Sequence, residues 1–488
     1  MDPVWLFVAV LLPLVSGALL YFLRPGDDRR IQIFTGAATL VTAAFVWALI
    51  LLCPQGRFRL ISFAKDLDVA FRFDGLGRFF AGIVATLWPL TVLYAFSYME
   101  GEPRRGTFFA FFTMSFGVTL GICMADNLFT LYLFYELLTL ITVPLIIHTM
   151  TQKAVKAAWT YLIFSIGGAA FAFAAMVYLI VVGAGGSFAL GGVFKAVAPS
   201  AQGLARVFYL LGFLGFGVKS AIFPLHIWLP RASVAPTPVT ALLHAVAVVK
   251  AGVFAVTRLT WFCFDPSFLA GTWVQWVTLG FAAFTMVYGS TMAVKQVHFK
   301  LRLAYSTVSN LSYVLFGVCL LTPEGLSAGL LHMAFHANIK ILAFFCAGAV
   351  LCRTGRAYVT ELNGLGRRMP VTFACYTLAA LSLTGIPPLS GFVSKWQLLT
   401  AAAQAGTAAA YVGAGALLVS ALLTAIYMLT VVCRAWFPAR GEDKGLAAVK
   451  EADWRMCVPL VILALGTVCT GLFAQSIVDV TRQIAGLG

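Results

Sequence analysis

Long apolar runs recur along the whole chain and constrain its fold more than any other feature. They are bounded by polar residues or by Pro and Gly, and they begin near residues 4, 31, 79, 107, 127, 156, 205, 238, 273, 303, 325, 371, 408 and 456. A helix of about 20 apolar residues crosses the hydrocarbon core of a bilayer. The pattern predicts an all-α polytopic membrane protein with about fourteen transmembrane spans, numbered 1 to 14 below.

Composition excludes the common soluble classes. Of the 488 residues, 61% are hydrophobic and only 10% are charged, whereas a soluble domain is about half apolar and a quarter charged. A soluble multidomain enzyme, a disordered chain and a disulfide-rich secreted scaffold are therefore excluded. The ten cysteines form no CxxC pair, so we expect buried reduced thiols, with no metal site and no cofactor in this chain.

Basic residues are distributed unevenly between alternate loops. By the predicted boundaries, the loops after odd-numbered spans hold about 20 Lys and Arg, against about 9 on the opposite side. Because basic loops stay in the cytoplasm, both termini are predicted on the outer side, with the 434–455 loop in the cytoplasm. The net charge of +15 then indicates topology and an attraction to anionic lipid, and nucleic-acid binding is not expected.

Two N-terminal segments carry further signals. The first apolar run, which ends at Leu23, has neither a basic n-region nor a cleavage site, so we expect it to be retained as span 1. The stretch 54–78 alternates apolar and polar residues, which predicts a short β-hairpin on the membrane surface.

Five charged residues fall in the middle of predicted spans. Glu136 is the only such carboxylate, and the four cations are Lys219, Lys250, Lys340 and Lys395. A charge at this depth costs several kcal/mol unless it is paired or hydrated. Because one carboxylate cannot neutralise four ammonium groups, a static ion pair is disfavoured and a proton path is favoured.

Four histidines share these segments: His226, His244, His332 and His336. His332, His336 and Lys340 are spaced i, i+4, i+8, which places them on one face of a helix. We interpret these histidines as a proton relay. A packed polar core and a metal or haem site are the alternatives, although no acidic co-ligand is near.

Prolines interrupt two of the lysine-bearing spans. Pro224 follows Lys219, and Pro387 and Pro388 precede Lys395. A mid-helix proline frees a carbonyl in the preceding turn, and freed backbone groups at membrane depth must line protein or water. Two broken helices, each beside an embedded lysine, favour two structural repeats.

Several segments together resemble a known family. They are LYLFYELLTL, VKSAIFPLHIWLPRASVAPTPVTALLHAVAVVKAG, LRLAYSTVSNLSYV, HMAFHANIKILAFFCAG and GIPPLSGFVSKW. They resemble the antiporter-like subunits of respiratory complex I, of Mrp cation/proton antiporters and of membrane-bound hydrogenases, over residues 70–435. The resemblance implies inverted repeats of spans 4–8 and 9–13, with spans 7 and 12 broken. The chain would then divide into four units. Residues 1–106 would form three helices and the hairpin, and residues 107–262 and 273–437 would form the two repeats. Residues 438–488 would form a cytoplasmic loop and span 14.

The resemblance also implies a role for each embedded residue. Glu136 and Lys219 would be a coupling ion pair. Lys250, with His244 in the same span, would be the central relay. His332, His336 and Lys340 would carry protons onward to Lys395, the terminal exchange site. Asn310 stands where relatives often carry His, which puts a relay step in span 10 in doubt.

The expected function is therefore proton translocation within a larger assembly. The first reading is a proton-translocating, possibly cation/proton-translocating, subunit of a redox-driven complex related to complex I or membrane-bound hydrogenase. The alternative is a subunit of an Mrp-type Na+/H+ antiporter without a redox partner. One complex I paralogue has Glu where this chain has Lys395, and the largest complex I paralogue carries a long lateral helix that is not expected here. The resemblance therefore fits the shorter Mrp-type or hydrogenase-type relatives better than these two paralogues. An enzyme acting on lipid or a structural anchor would not place five charges in mid-span.

Expected partners are paralogous antiporter-like subunits, small membrane subunits and a peripheral redox arm, within the cell membrane of a bacterium or archaeon. The sequence carries no redox or hydrolytic site of its own, which leaves open whether the chain serves an enzyme.

Overall fold

The structure, a computed structural model, describes residues 2–23, 26–52, 56–194, 198–438 and 448–488. In these ranges, eleven helices are long and apolar enough to cross a membrane. The chain is therefore an integral membrane protein.

Nineteen α-helices are present in the described residues. The first ten are α1 (Val4–Leu23), α2 (Asp28–Leu52), α3 (Gly75–Tyr98), α4 (Arg105–Cys123), α5 (Leu128–Ile146), α6 (Gln152–Val181), α7 (Gln202–Gly217), α8 (Trp228–Ala232), α9 (Thr237–Ala245) and α10 (Val248–Arg258). The others are α11 (Pro266–Leu269), α12 (Trp273–Lys295), α13 (Phe299–Cys319), α14 (Pro323–Thr354), α15 (Pro370–Thr384), α16 (Ser390–Ala405), α17 (Ala408–Trp436), α18 (Trp454–Leu472) and α19 (Ala474–Ile484).

Helices begin within four residues of every position predicted from the apolar runs. Side chains at Asp74, Asn127 and Thr322 cap α3, α5 and α14 by accepting a backbone N–H three residues on, at 2.8, 2.8 and 3.1 Å. Thus local capping, added to apolar length, fixes where these helices start. The number of spans and the four-unit division stay predictions, and part of the 434–455 loop lies outside the described residues.

The hairpin predicted within 54–78 is present. Strand β1 (Arg57–Ala64) pairs antiparallel with β2 (Leu67–Arg72), with Arg57 opposite Arg72. Asp126, in the connection between α4 and α5, attaches the hairpin to the helices, because its carboxylate binds Arg57 Nε at 2.7 Å and Arg72 Nε at 3.0 Å.

Burial separates the core helices from the lipid-facing ones. The continuous segment Thr237–Cys263 is wholly buried, and α14 is buried over most of its length against α9, α13, α15, α16 and α18. In contrast, only a third of the most apolar stretch of α1, α2, α17 or α18 is covered by protein. The embedded lysines and the histidines of α9 and α14 are therefore buried inside the bundle, whereas Glu136 is partly exposed.

One interruption was not predicted. Predicted span 8 consists of α9, a turn at residues 246–247, α10 and a π-helical turn at Leu259–Cys263. The turn separates His244, in the last turn of α9, from Lys250, in the first turn of α10.

Candidate functional site

Glu136 and Lys219 lie side by side where α5 meets the end of α7. Lys219 Nζ is 3.8 Å from Glu136 Oε1, and the lysine side chain is fully buried whereas that of Glu136 is 24% exposed. Lys219 also donates to the Tyr135 carbonyl and lies 3.4 Å from the centre of the Tyr135 ring. Because 3.8 Å is beyond hydrogen-bond range, the two charges attract without a fixed hydrogen bond between them.

An irregular segment positions Lys219. Helix α7 ends at Gly217, residues 218–227 form turns that include Pro224, and α8 follows. The backbone here packs tightly on α10: a Cβ on Gly252 would lie 2.5 Å from Ser220 N and 2.6 Å from the Lys219 carbonyl carbon. Only glycine therefore allows this approach.

Lys250 is joined directly to α14. Its Nζ lies 2.6 Å from His336 Nδ1, and both side chains are fully buried. His244, across the turn at 246–247, has its Nε2 3.2 Å from Ser233 Oγ instead. The structure thus brings Lys250 and His336 together and leaves His244 bound to a different partner.

The predicted row of His332, His336 and Lys340 is on one face of α14 and contacts three neighbouring helices. The His332 and His336 rings are 5.8 Å apart. His332 Nδ1 is 2.9 Å from Ser394 Oγ on α16, and Lys340 Nζ donates to Ser306 Oγ on α13. This row therefore connects α10, α13 and α16.

Lys395 lies at the second interruption of a span, between α15 and α16. Helix α15 ends at Thr384, residues 385–389 include Pro387 and Pro388, and α16 begins at Ser390. The Lys395 Nζ donates to the Leu383 carbonyl at 2.6 Å and to the Thr384 carbonyl at 3.0 Å. These carbonyls lie at a helix C-terminus, where acceptors lack intrahelical partners and a cation is favoured.

The residues just described form a buried row, called the line below: Glu136, Lys219, Lys250, His336, His332, Lys340 and Lys395. Along the line, lysines outnumber carboxylates. In the described part of the chain, Lys250, Lys340 and Lys395 make no salt bridge, and each is at most 5% exposed. Several buried ammonium groups without counterions are costly. The geometry around these lysines therefore affects how many of them carry a proton.

Sequence reasoning missed a cluster of buried hydroxyls next to this line. Tyr313 OH donates to Ser420 Oγ at 2.8 Å, and Ser420 Oγ lies 2.6 Å from Ser290 Oγ and 2.8 Å from Ser309 Oγ. The signal was present, because residues 306, 309, 310 and 313 are spaced as one face of α13. Since Lys395 Nζ is 5.6 Å from the centre of the Tyr313 ring, the cluster adjoins Lys395.

A second missed group lies at the start of α3. Arg258, fully buried at the end of α10, binds Asp74 through two hydrogen bonds of 2.5 and 2.7 Å. Burial raises the pKa of Asp74, but the Arg258 guanidinium, the Gly77 N–H and Arg72 together outweigh burial, so the pKa of this carboxyl is below its usual range. His226 is separate from both groups and packs against the rings of Phe223 and Tyr288.

Comparison with known proteins decides the family. A family model described as NADH:quinone oxidoreductase/Mrp antiporter, TM, matches residues 125–429, more than half of the chain. The chain belongs to this family. A second model, described as NADH-Ubiquinone oxidoreductase (complex I), chain 5 N-terminus, matches residues 61–109 of this antiporter-like protein.

Individual relatives divide between two kinds of complex. NADH-quinone oxidoreductase subunit N of Desulforudis audaxviator is 31% identical over 502 residues, covering 99% of this chain and 98% of the relative. A Na(+)/H(+) antiporter subunit of Alkalihalophilus pseudofirmus is 34% identical over 345 residues, 67% of this chain but only 42% of that protein. The family resemblance expected from the sequence is thus confirmed.

A solved structure shares the fold. A chain of the membrane-bound sulfane sulfur reductase, an archaeal respiratory membrane complex, superposes with a TM-score of 0.87 at 22% identity, covering 99% of this chain and 97% of that one. Together, these findings make the protein an antiporter-like, proton-translocating membrane subunit of the family that complex I and Mrp antiporters share.

Proposed function

We propose that this chain moves protons along the buried Glu/Lys/His line as one membrane subunit of a redox-driven complex. The observation that carries the proposal is the hydrogen-bonded contact between Lys250 and His336 at 2.6 Å. His332 continues it to Ser394 at 2.9 Å, and among the described residues neither Lys250 nor Lys395 has a counterion. A near-complete match in both directions to a complex I subunit supports the redox-driven assembly.

In this proposal, the Glu136–Lys219 distance controls the line. At 3.8 Å, attraction between the two charges is about 4 kcal/mol at an effective dielectric of about 20. Separation to about 8 Å leaves about 2 kcal/mol. Opening the pair therefore destabilises the Lys219 ammonium and drives its proton towards Lys250.

The remaining residues act in sequence. Lys250, with His244 nearby in the chain, is the central relay; His336, His332 and Lys340 pass the proton along α14; and Lys395 exchanges it at the second break. Lysine at positions 219, 250 and 395 can give up and take up a proton and suits H+ better than sodium, so the transported ion of the proposal is H+. Any redox cofactor belongs to partner subunits.

The proposal includes the architecture expected from the sequence. The fourteen proposed spans are the eleven long apolar helices together with α13 and the interrupted segments at 202–232 and 370–405. Units 107–262 and 273–437 are inverted repeats whose breaks contain Pro224, and Pro387 with Pro388. Units 1–106 and 438–488 flank them, and both termini face outward, in a bacterial or archaeal cell membrane.

A second candidate is membership of an Mrp-type Na+/H+ antiporter complex. The observation that favours it is the 34% identity to the Alkalihalophilus pseudofirmus antiporter protein over 67% of this chain. Both candidates use the same embedded residues, so they differ in partners.

Purification from the native host with mass spectrometry of the co-purifying subunits separates them. Hydrogenase-like or quinone-reductase subunits, together with paralogous and small membrane subunits, are expected. Recovery of small cation-antiporter subunits without a redox arm would replace the first candidate by the second. Glu136→Ala and Lys219→Ala test the line itself, because each should abolish coupled translocation while the complex still assembles.

A further inference from the structure

Beyond the four lysines of the line, the described residues include another buried lysine, at the start of α13. Lys300 is only 6% exposed, and its Nζ donates to the Ala235 carbonyl at 2.7 Å. Within the described ranges it forms no salt bridge. A buried ammonium without a counterion is costly, so the neutral amine is within reach and a purely structural role is disfavoured.

Lys300 lies at one end of the bundle. The chain just before it is exposed at Lys295 and Val297, the second of which is three residues away. In the topology proposed above, α9 and α13 both begin on the cytoplasmic side. Lys300 is therefore within one helical turn of chain that cytoplasmic water reaches.

One short connection contacts both Lys300 and His244. Residues 233–236, between α8 and α9, supply the Ala235 carbonyl that Lys300 binds and the Ser233 hydroxyl, which lies 3.2 Å from His244 Nε2. The ammonium groups of Lys340 and Lys300 both act electrostatically on the His244 ring. His244 is therefore in range of the line on one side and of Lys300 on the other.

The His244 ring has the properties of a relay. It is fully buried, its Nε2 is bound to Ser233, and its Nδ1 has no hydrogen-bond partner among the described residues. The ring also packs against Phe344, which lies one turn beyond Lys340 on α14, with 4.9 Å between ring centres. An imidazole can accept a proton on one nitrogen and release one from the other.

We propose that Lys300 takes up protons from the cytoplasm and passes them through Ser233 and His244 to Lys340, an inference that rests on the proposed function. The neutral Lys300 amine accepts a proton from water and gives it to the Ser233 oxygen, while the Ser233 hydroxyl proton moves to His244 Nε2. The imidazolium then releases its Nδ1 proton to the neutral Lys340 amine. Lys300 and Ser233 return to their starting states, and rotation of the His244 ring restores its tautomer.

Lys300→Arg separates proton uptake from a structural role. Arginine keeps the positive charge and can still donate to the Ala235 carbonyl, but its ordinary pKa is at least about 2 units above that of lysine. It therefore releases a proton about 100-fold less readily. We expect normal assembly and melting temperature, with proton translocation by the complex in liposomes lower by at least about tenfold. The matched control Lys295→Arg, at the exposed end of α12, should translocate at the native rate.

Two pH-sensitive dyes, one trapped inside the liposomes and one outside, assign the side of the effect. Protons already on the line can leave once even when uptake is blocked. In Lys300→Arg, the first release should therefore keep its native amplitude, whereas uptake and every later turnover should be slow. If Lys300→Arg does not assemble, Lys300→Gln, which can donate a hydrogen bond but holds no extra proton, is measured in the same way.

Two results would overturn the uptake role. They are translocation by Lys300→Arg within about threefold of the native rate, and loss of the first release together with uptake. Glu136→Ala, measured in parallel, separates this failure from that of the proposed function. An inactive Glu136→Ala beside a fully active Lys300→Arg would reject only the uptake role, whereas native rates in both would reject the proposed function as well.

Discussion

Replacing Glu136 by glutamine tests whether electrostatic attraction between Glu136 and Lys219 controls proton transfer along the line. The amide has nearly the shape of the carboxylate but no charge, so packing around α5 is kept. From the 3.8 Å separation, Lys219 loses about 4 kcal/mol of attraction at an effective dielectric of about 20. The 24% exposure of Glu136 screens part of this, so about 2–3 kcal/mol is expected to remain.

A loss of that size corresponds to a decrease of about 30- to 160-fold in a rate that depends on a protonated Lys219. The assay is proton uptake into liposomes that contain the purified complex, measured with a pH-sensitive dye and divided by the amount of assembled complex. Glu136→Asp, which keeps the charge on a shorter side chain, should retain more activity than Glu136→Gln. Glu102→Gln, at an exposed loop carboxylate, should behave as the native protein.

The outcome that refutes this reasoning is specific. If Glu136→Gln assembles normally and translocates protons at the native rate, attraction between Glu136 and Lys219 does not drive transfer. An equal loss in Glu136→Asp and Glu136→Gln would show that a negative charge at residue 136 does not by itself preserve transfer.

Three further predictions concern packing, capping and pH. Gly252→Ala should displace the Lys219 backbone, because its Cβ would fall 2.6 Å from the carbonyl carbon; overpacking of this kind costs about 1–3 kcal/mol, measurable as a lower melting temperature with lower translocation. Lys395→Met should abolish translocation and destabilise the end of α15 by about 1–3 kcal/mol, because two buried carbonyls lose their donor. Asp74→Asn should lower stability by about 3 kcal/mol at pH 7, because it leaves Arg258 buried without a counterion. Since the pKa of Asp74 is depressed below 3.8 in the folded protein, the contribution of the pair is complete above about pH 4 and is lost as the pH falls through the folded value.

Each of these has a matched comparison. Gly280→Ala, at a position with nothing within 4 Å, should leave melting temperature and translocation unchanged. Lys395→Arg keeps a cationic donor and should preserve stability. For Asp74→Asn, thermal melting between pH 3 and 8 should show a gap to the native chain that is constant near neutrality and narrows in acid; a gap that widens in acid would contradict the assignment.

The helices and embedded residues could be predicted because their signals are local. An apolar run and a cap determine where a helix starts, and a proline removes a backbone donor wherever it occurs. The i, i+4, i+8 spacing likewise predicts that His332, His336 and Lys340 lie on one face of a helix, without knowledge of their contacts.

The pairings could not be predicted, because they depend on how distant segments pack. Lys250 and His336 are 86 residues apart, and nothing in either segment specifies the other. The turn at 246–247 contains no Gly or Pro, so its cause is tertiary. Lys300 precedes the apolar run that begins near residue 303, yet its side chain is buried and donates to the Ala235 carbonyl at 2.7 Å.

In the proposed path, the contacts of Lys395 determine what happens to the backbone when this lysine loses its proton. A protonated lysine carries three N–H hydrogens and a neutral one carries two. Two carbonyls at the end of α15 accept hydrogen bonds from this amine. Loss of the third hydrogen therefore leaves both hydrogen bonds in place, so Lys395 can discharge without any rearrangement of the backbone that it caps.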